Sequence, residues 1–128
     1  MRLLLDTHIL LWAAFSWRRL PEDGRVMLEQ EDNVPVFSVA SLWEVAIKRS
    51  LGREDFRVDP RLLRRGLIDN GYEELPILGQ HAVAVDGLPL IHKDPFDRLL
   101  IAQSLIEGIT LLTMDPLVAR YPAPVRAI

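Results

Sequence analysis

Cysteine is absent from the 128 residues, so no disulfide can staple the fold and no thiolate can hold a metal. Any ion must be bound by oxygen or imidazole, and a reducing cytoplasm is the expected setting. Lysine is scarce: only Lys48 and Lys93 stand among 15 basic residues, and the remaining 13 are arginines. Arginine suits planar, bidentate phosphate contacts. Its clusters at Arg18-Arg19, Arg49 to Arg57 and Arg61 to Arg65 nevertheless read first as solvated helix faces. A net charge of −3 argues against a general nucleic-acid-coating protein, whose affinity would come from neutralised phosphates. No apolar run has transmembrane length, and the stretch Ile9 to Phe15 is followed by no small-residue cleavage site, so no membrane association is expected. There is no glycine-rich phosphate loop, no serine or cysteine nucleophile and no aromatic spacing suited to base stacking. His8, His81 and His92 share no metal-ligand spacing, and none is assigned a catalytic role.

What is present is apolar and periodic. With 49% hydrophobic residues, the chain is expected to form a single domain over 1–128 around a real core. Arg2-Leu3-Leu4-Leu5 reads as a buried strand, followed by a helix from Thr7 to Phe15. Pro21-Glu22-Asp23 starts a second helix running to about Glu31, with proline and acids in its first turn. Pro35 to Ser38 is a short strand, and Ser41 to Leu51 a helix closed by Gly52. A helix over Pro60 to Asp69, an edge strand over Glu73 to Ile77, a short helix from Gly79 to about Val85 and a loop from Asp86 to Lys93 follow. Asp94-Pro95 opens a strong helix to Glu107, Gly108 ends it, and Ile109 to Thr113 is the next strand. Val125 to Ile128 can add a last one. Alternating strands and helices predict a parallel sheet with helices on both faces.

Four acids stand out. Asp6 and Asp115 fall at the carboxyl ends of apolar strands, where open parallel α/β sheets place their ligand crevice. Each also fits a helix cap: Asp6 precedes Thr7, Asp115 precedes Pro116, and Asp94-Pro95-Phe96-Asp97 repeats the pattern with Asp94 as the cap. Capping does not explain Glu44, which sits among Trp43, Val45, Ala46 and Ile47 on a helix with little polar arc, with Lys48 four residues on as a possible partner. Carboxylates crowded into one crevice repel unless a hard cation is bound, and Mg²⁺ or Mn²⁺ takes oxygen ligands together with substrate phosphate. Hydrolysis of a phosphodiester is the corresponding chemistry.

The order and flanks of these acids carry a resemblance. Leu5-Asp6-Thr7-His8, Ser41-Leu42-Trp43-Glu44-Val45-Ala46-Ile47-Lys48, Asp94-Pro95-Phe96-Asp97-Arg98 and Leu112-Thr113-Met114-Asp115 together resemble the PIN-domain ribonucleases, specifically the VapC toxins of type II toxin–antitoxin modules, over essentially the whole chain. The resemblance implies a three-layer α/β/α fold with a central parallel sheet of four to five strands. It implies an Mg²⁺- or Mn²⁺-dependent endoribonuclease with Asp6, Glu44, Asp97 and Asp115 as the acidic cluster, Asp6 and Asp97 foremost as ligands. It also implies a homodimer, an RNA substrate and a VapB-like antitoxin bound near the first helices.

Asp94 is assigned to the cap ahead of the metal site. Thr7 and Thr113 can orient carboxylates or be ordinary strand-end hydroxyls. Arg98 can bind phosphate or an antitoxin carboxylate, or pair structurally with Asp94 or Glu44. The segment Ile9 to Phe15 is apolar all round, which fits either a sandwiched helix or a partner surface. Two other readings stand beside the nuclease. One is a binding domain whose acids are only caps. The other is an aspartyl-phosphate phosphatase with Asp6 as nucleophile, against which Asp6-Thr7-His8 lacks the second aspartate two residues on.

Overall fold

The computed structural model describes residues Met1–Ile128. Five parallel strands form one sheet: β1 (Arg2–Leu5), β2 (Val34–Ser38), β3 (Glu73–Leu75), β4 (Thr110–Thr113) and β5 (Val125–Ala127), in the order β3-β2-β1-β4-β5. The six helices are α1 (Thr7–Phe15), α2 (Glu22–Glu29), α3 (Val39–Ser50), α4 (Pro60–Asp69), α5 (Gly79–Ala84) and α6 (Pro95–Glu107). This is the three-layer α/β/α arrangement expected, with the higher of the two strand counts.

The side-chain period of a strand builds two cores. Leu3, Leu5, Phe37 and Leu112 face one layer, with Ile9 and Leu10 of α1, Met27 of α2 and Leu63 and Leu67 of α4. Leu4, Val36 and Leu111 face the other, against Leu100, Ile101 and Ala102 of α6. Burial on both faces is why the strands read as continuous apolar runs and not as an alternation. No helix is long and apolar enough to cross a membrane.

Local chemistry sets the element ends. Asp59 and Asp94 cap α4 and α6 ahead of a proline, and Gly108 closes α6 at φ 65°, in the left-handed region that glycine enters without strain. Several boundaries differ from the sequence reading. Helix α3 begins two residues early because Ser38, the last residue of β2, itself caps the helix through its hydroxyl and Ala40 N at 3.0 Å. Pro21 is the N-cap residue of α2 and lies outside its first turn, and Gln30 ends that helix in extended backbone. The edge strand β3 stops at Leu75, before Pro76, which has no N–H to donate to a ladder. The segment expected as loop after α5 begins with a 3₁₀ turn, Val85–Gly87.

The order of strands creates the site. From β1 the chain moves outward to β2 and β3, then returns across the sheet to β4 on the other side of β1. The direction of winding therefore reverses between β1 and β4, and a crevice opens at their carboxyl ends. Asp6 and Asp115 follow those two strands.

Candidate functional site

All four acids singled out from the sequence line one crevice of about 390 Å³ at this edge. Asp6 arrives from β1, Glu44 from α3, Asp97 from the first turn of α6 and Asp115 from just beyond β4. Asp94 lines it too, so five carboxylates face a single lysine, Lys48, with His8 and His92 beside them.

Each carboxylate is held by capping or by a neighbour. Asp6 Oδ1 accepts from Ile9 N at 2.9 Å, and Oδ2 from the Thr113 hydroxyl at 2.8 Å. Thr113 in turn accepts from Asp115 N at 3.0 Å, so one buried hydroxyl ties the acid of β1 to the acid of β4. Asp115 Oδ1 caps the following turn through Leu117 N at 2.8 Å. Asp94 Oδ1 caps α6 through Asp97 N at 2.9 Å, the role assigned to it from sequence. Capping and crevice-lining are thus carried by the same acids.

Glu44 is only 4% exposed. Its Oε2 accepts from Lys48 Nζ one helical turn on, while Oε1 is buried with no hydrogen-bond partner. The Lys48 ammonium also lies 4.8 Å from the centre of the Phe56 ring. Crowding changes the acids. Asp97 is pushed up to about 7, by burial first and then by repulsion from Asp94, Asp6 and Glu44, with His92 acting in the opposite sense. Burial raises Asp6 as well, against its hydrogen bonds from Ile9 and Thr113.

Two assignments change. Arg98 meets neither Asp94 nor Glu44; its guanidinium donates to Pro89 O at 3.0 Å, Val85 O at 3.1 Å and the Tyr121 hydroxyl at 3.1 Å, stapling the segment before α6. His92, passed over in the sequence, places Nε2 3.1 Å from Asp97 Oδ2 and 2.9 Å from Asp115 Oδ2. The remaining hydroxyl, Thr7 Oγ1, donates to Ser41 Oγ at 3.0 Å and touches no carboxylate. The fold also brings together two aromatics far apart in sequence: Trp43, 54% exposed, meets Phe96 edge to face at 5.2 Å, each adjoining a crevice acid in the chain.

Thr113→Val keeps shape but leaves Asp6 Oδ2 without its donor. Were the crevice to hold a divalent ion through Asp6, calorimetry should show its affinity falling by roughly 10–100-fold, the usual loss when a partner of a ligating carboxylate goes.

Fold and site together define an open parallel α/β domain with a carboxylate-rich crevice at its switch point, in which the ligand atoms of His92, Asp97 and Asp115 lie close enough to share one ion. The PIN domain family model matches residues 3–124. The chain belongs to that family, whose members are generally nucleases. Among solved structures, it is similar to a chain in the crystal structure of VapBC2 from Rickettsia felis bound to a DNA fragment from their promoter. That match has a TM-score of 0.71 and 16% identity over 100% of this chain and 99% of that one. A chain of DNA-bound VapBC from Salmonella typhimurium matches with TM-score 0.67 and 18% identity, covering 99% and 98%. One from VapBC-1 of nontypeable Haemophilus influenzae matches with TM-score 0.57 and 19% identity, covering 90% and 87%. No protein of curated function matches the sequence.

Proposed function

We propose that the chain is a divalent-metal-dependent endoribonuclease acting as the toxin of a type II toxin–antitoxin module. The observation that carries this reading is the convergence of Asp6, Glu44, Asp97 and Asp115, from four separate segments, on one crevice. The residues fit a hard cation. Carboxylate oxygens dominate the donors, Glu44 Oε1 is buried and unpartnered, and Asp97 is pushed up to about 7 in a crevice where five carboxylates face one ammonium, Lys48. Asp6 and Asp97 would hold the ion, with Glu44 and Asp115 completing the site; Mg²⁺ or Mn²⁺ suits them. When bound, such an ion acidifies a water and stabilises charge on the phosphate.

The chain's own residues do the positioning. Thr113 and Ile9 N fix the plane of the Asp6 carboxylate, leaving a lone pair on each oxygen. Lys48 holds Glu44 in place against its acidic neighbours. The Trp43–Phe96 pair, each residue adjoining a crevice acid in the chain, offers an aromatic surface to an unpaired base, which suits a single-stranded nucleic acid.

A VapB-like antitoxin is the expected partner, since the similar chains come from VapBC structures. The first helix supports this. Ile9, Leu10 and Leu11 are buried, but Phe15 is 58% exposed, and Leu11, Trp12, Phe15 and Val58 line a groove that shares His8 and Trp12 with the acidic crevice. A homodimer in the cytoplasm completes the reading.

Purified protein should cleave RNA, lose that activity in EDTA and regain it with Mg²⁺ or Mn²⁺. Cleavage that survives both chelation and Asp6→Asn would overturn the proposal.

A further inference from the structure

His92 lines the crevice and has no assigned task. It contacts two acids, yet an imidazole beside two carboxylates can be either another ligand for the ion or a hydrogen-bond donor to the acids. The other ring nitrogen decides between them. Asp94 N–H points at His92 Nδ1, 3.1 Å away. A backbone amide can only donate, so Nδ1 must present its lone pair. The ring proton then sits on Nε2. A proton on Nδ1 would instead be set against the Asp94 N–H. An Nε2 carrying its proton has no lone pair for a metal, whereas it can donate to Asp115 Oδ2 at 2.9 Å and Asp97 Oδ2 at 3.1 Å.

The backbone of His92 is anchored to match. Its N–H donates to the Tyr121 hydroxyl at 2.8 Å, and its carbonyl accepts from that hydroxyl at 3.3 Å and from Arg98 at 3.4 Å. Arg98 also binds the carbonyls of Val85 and Pro89, so the segment carrying His92 is tied to α6 itself. Asp94 serves twice: its side chain caps α6 and its N–H orients the ring.

We infer that His92 is a positioning residue, an Nε2–H donor that bridges the Asp97 and Asp115 carboxylates and is not itself a ligand of the ion. The inference rests on the metal-site reading above for its consequence, but not for the hydrogen bonds that support it. Asp97 belongs to α6 and Asp115 follows β4, and His92 fixes their spacing across the crevice. Because the imidazole keeps its proton, the ligand set stays all oxygen, which suits a hard ion and disfavours zinc.

Three measurements on the full chain test this. Long-range ¹H–¹⁵N NMR of the metal-free protein should show His92 as the Nε2–H tautomer; the Nδ1–H tautomer would overturn the inference. Pulsed EPR of the Mn²⁺-loaded protein should show no nitrogen coupling from a directly bound imidazole. Such coupling in the wild type, lost in His92→Gln, would make His92 a ligand. By calorimetry, His92→Ala should weaken Mn²⁺ binding by roughly 10–100-fold, as loss of a carboxylate's supporting partner does. His92→Gln, whose amide N–H can reach the same acids, should stay within about threefold of wild type by the same reasoning. Unchanged affinity in His92→Ala, with the fold intact by circular dichroism, would also overturn the role. A wild-type protein that binds no Mn²⁺ would overturn the proposed function instead, and the tautomer, read without metal, decides the hydrogen-bond assignment in either case.

Discussion

Asp97→Asn is expected to lower RNA cleavage by at least about 100-fold, because under the proposed function Asp97 is a ligand of the ion and should matter more than the partners that orient the ligands. The same change should make the metal-free protein more stable at pH 8. Asp97 is held near 7 in the folded chain against an ordinary value of 3.8, by burial and by three neighbouring acids. Folding therefore favours the protonated form, and its stabilising contribution is complete below pH 4 and lost as the pH climbs through about 7. Asparagine has no proton to lose, so the variant escapes that loss. With each pKa unit worth about 1.4 kcal/mol and part of the repulsion relieved by relaxation, a gain of roughly 1–3 kcal/mol at pH 8 is expected. Thermal melts of both proteins in EDTA should diverge by several degrees at pH 8 and converge near pH 4. Mg²⁺ or Mn²⁺ should then raise the wild-type melting temperature and leave the variant nearly unmoved, since an ion that binds only the folded state stabilises it. Equal melting temperatures at pH 8 would dismiss the electrostatic argument. Full activity in the variant would dismiss Asp97 as a ligand. A site that costs stability to keep its function is a familiar trade-off, and here the cost is assigned to one side chain.

Much of this site was legible because its signals are local. Asp94-Pro95 and Asp59-Pro60 announce helix starts through two adjacent residues, and Gly108 announces an end through its φ of 65°. The edge position of β3 was likewise readable from its short, polar run. Glu44 stood out because an acid among apolar helix neighbours conflicts with its surroundings, and the structure buries it. What the chain order hides is convergence. Ser38 works as both strand end and helix cap, so a boundary drawn at Ser41 missed the first turn of α3. Arg98 was weighed for phosphate, an antitoxin carboxylate, Asp94 or Glu44, but its partners within the chain are carbonyls at 85 and 89 and the hydroxyl of Tyr121, brought together only by folding. His92 had a signal after all. A histidine two residues before an aspartate cap can accept that residue's N–H through Nδ1, which aims Nε2 toward the helix it precedes. Searching for metal-ligand spacing among histidines could not find it, because the ring acts on carboxylates.

Lys48→Met is expected to destabilise the metal-free protein by about 3 kcal/mol at neutral pH, the lower end of what removing one partner of a buried ion pair costs. Methionine preserves most of the lysine stem and can still pack on Phe56, so the loss should come from charge and not from a cavity. Glu44 would be left 4% exposed, with Oε1 already unpartnered and Oε2 losing its donor, in a crevice shared with Asp6 and Asp97. Two rescues separate this explanation from a packing defect. Adding Glu44→Gln should recover most of the lost stability in chemical denaturation, because the double variant no longer buries an unpaired charge. Adding Mn²⁺ to the single variant should recover part of it and raise its melting temperature by more than it raises that of the wild type, since the ion then meets a carboxylate with no competing ammonium. If neither rescue occurs, the loss does not come from the unpaired Glu44 charge and the electrostatic role of Lys48 is dismissed. If both occur, Lys48 is the cation that holds this acidic crevice together until a divalent ion takes over the task.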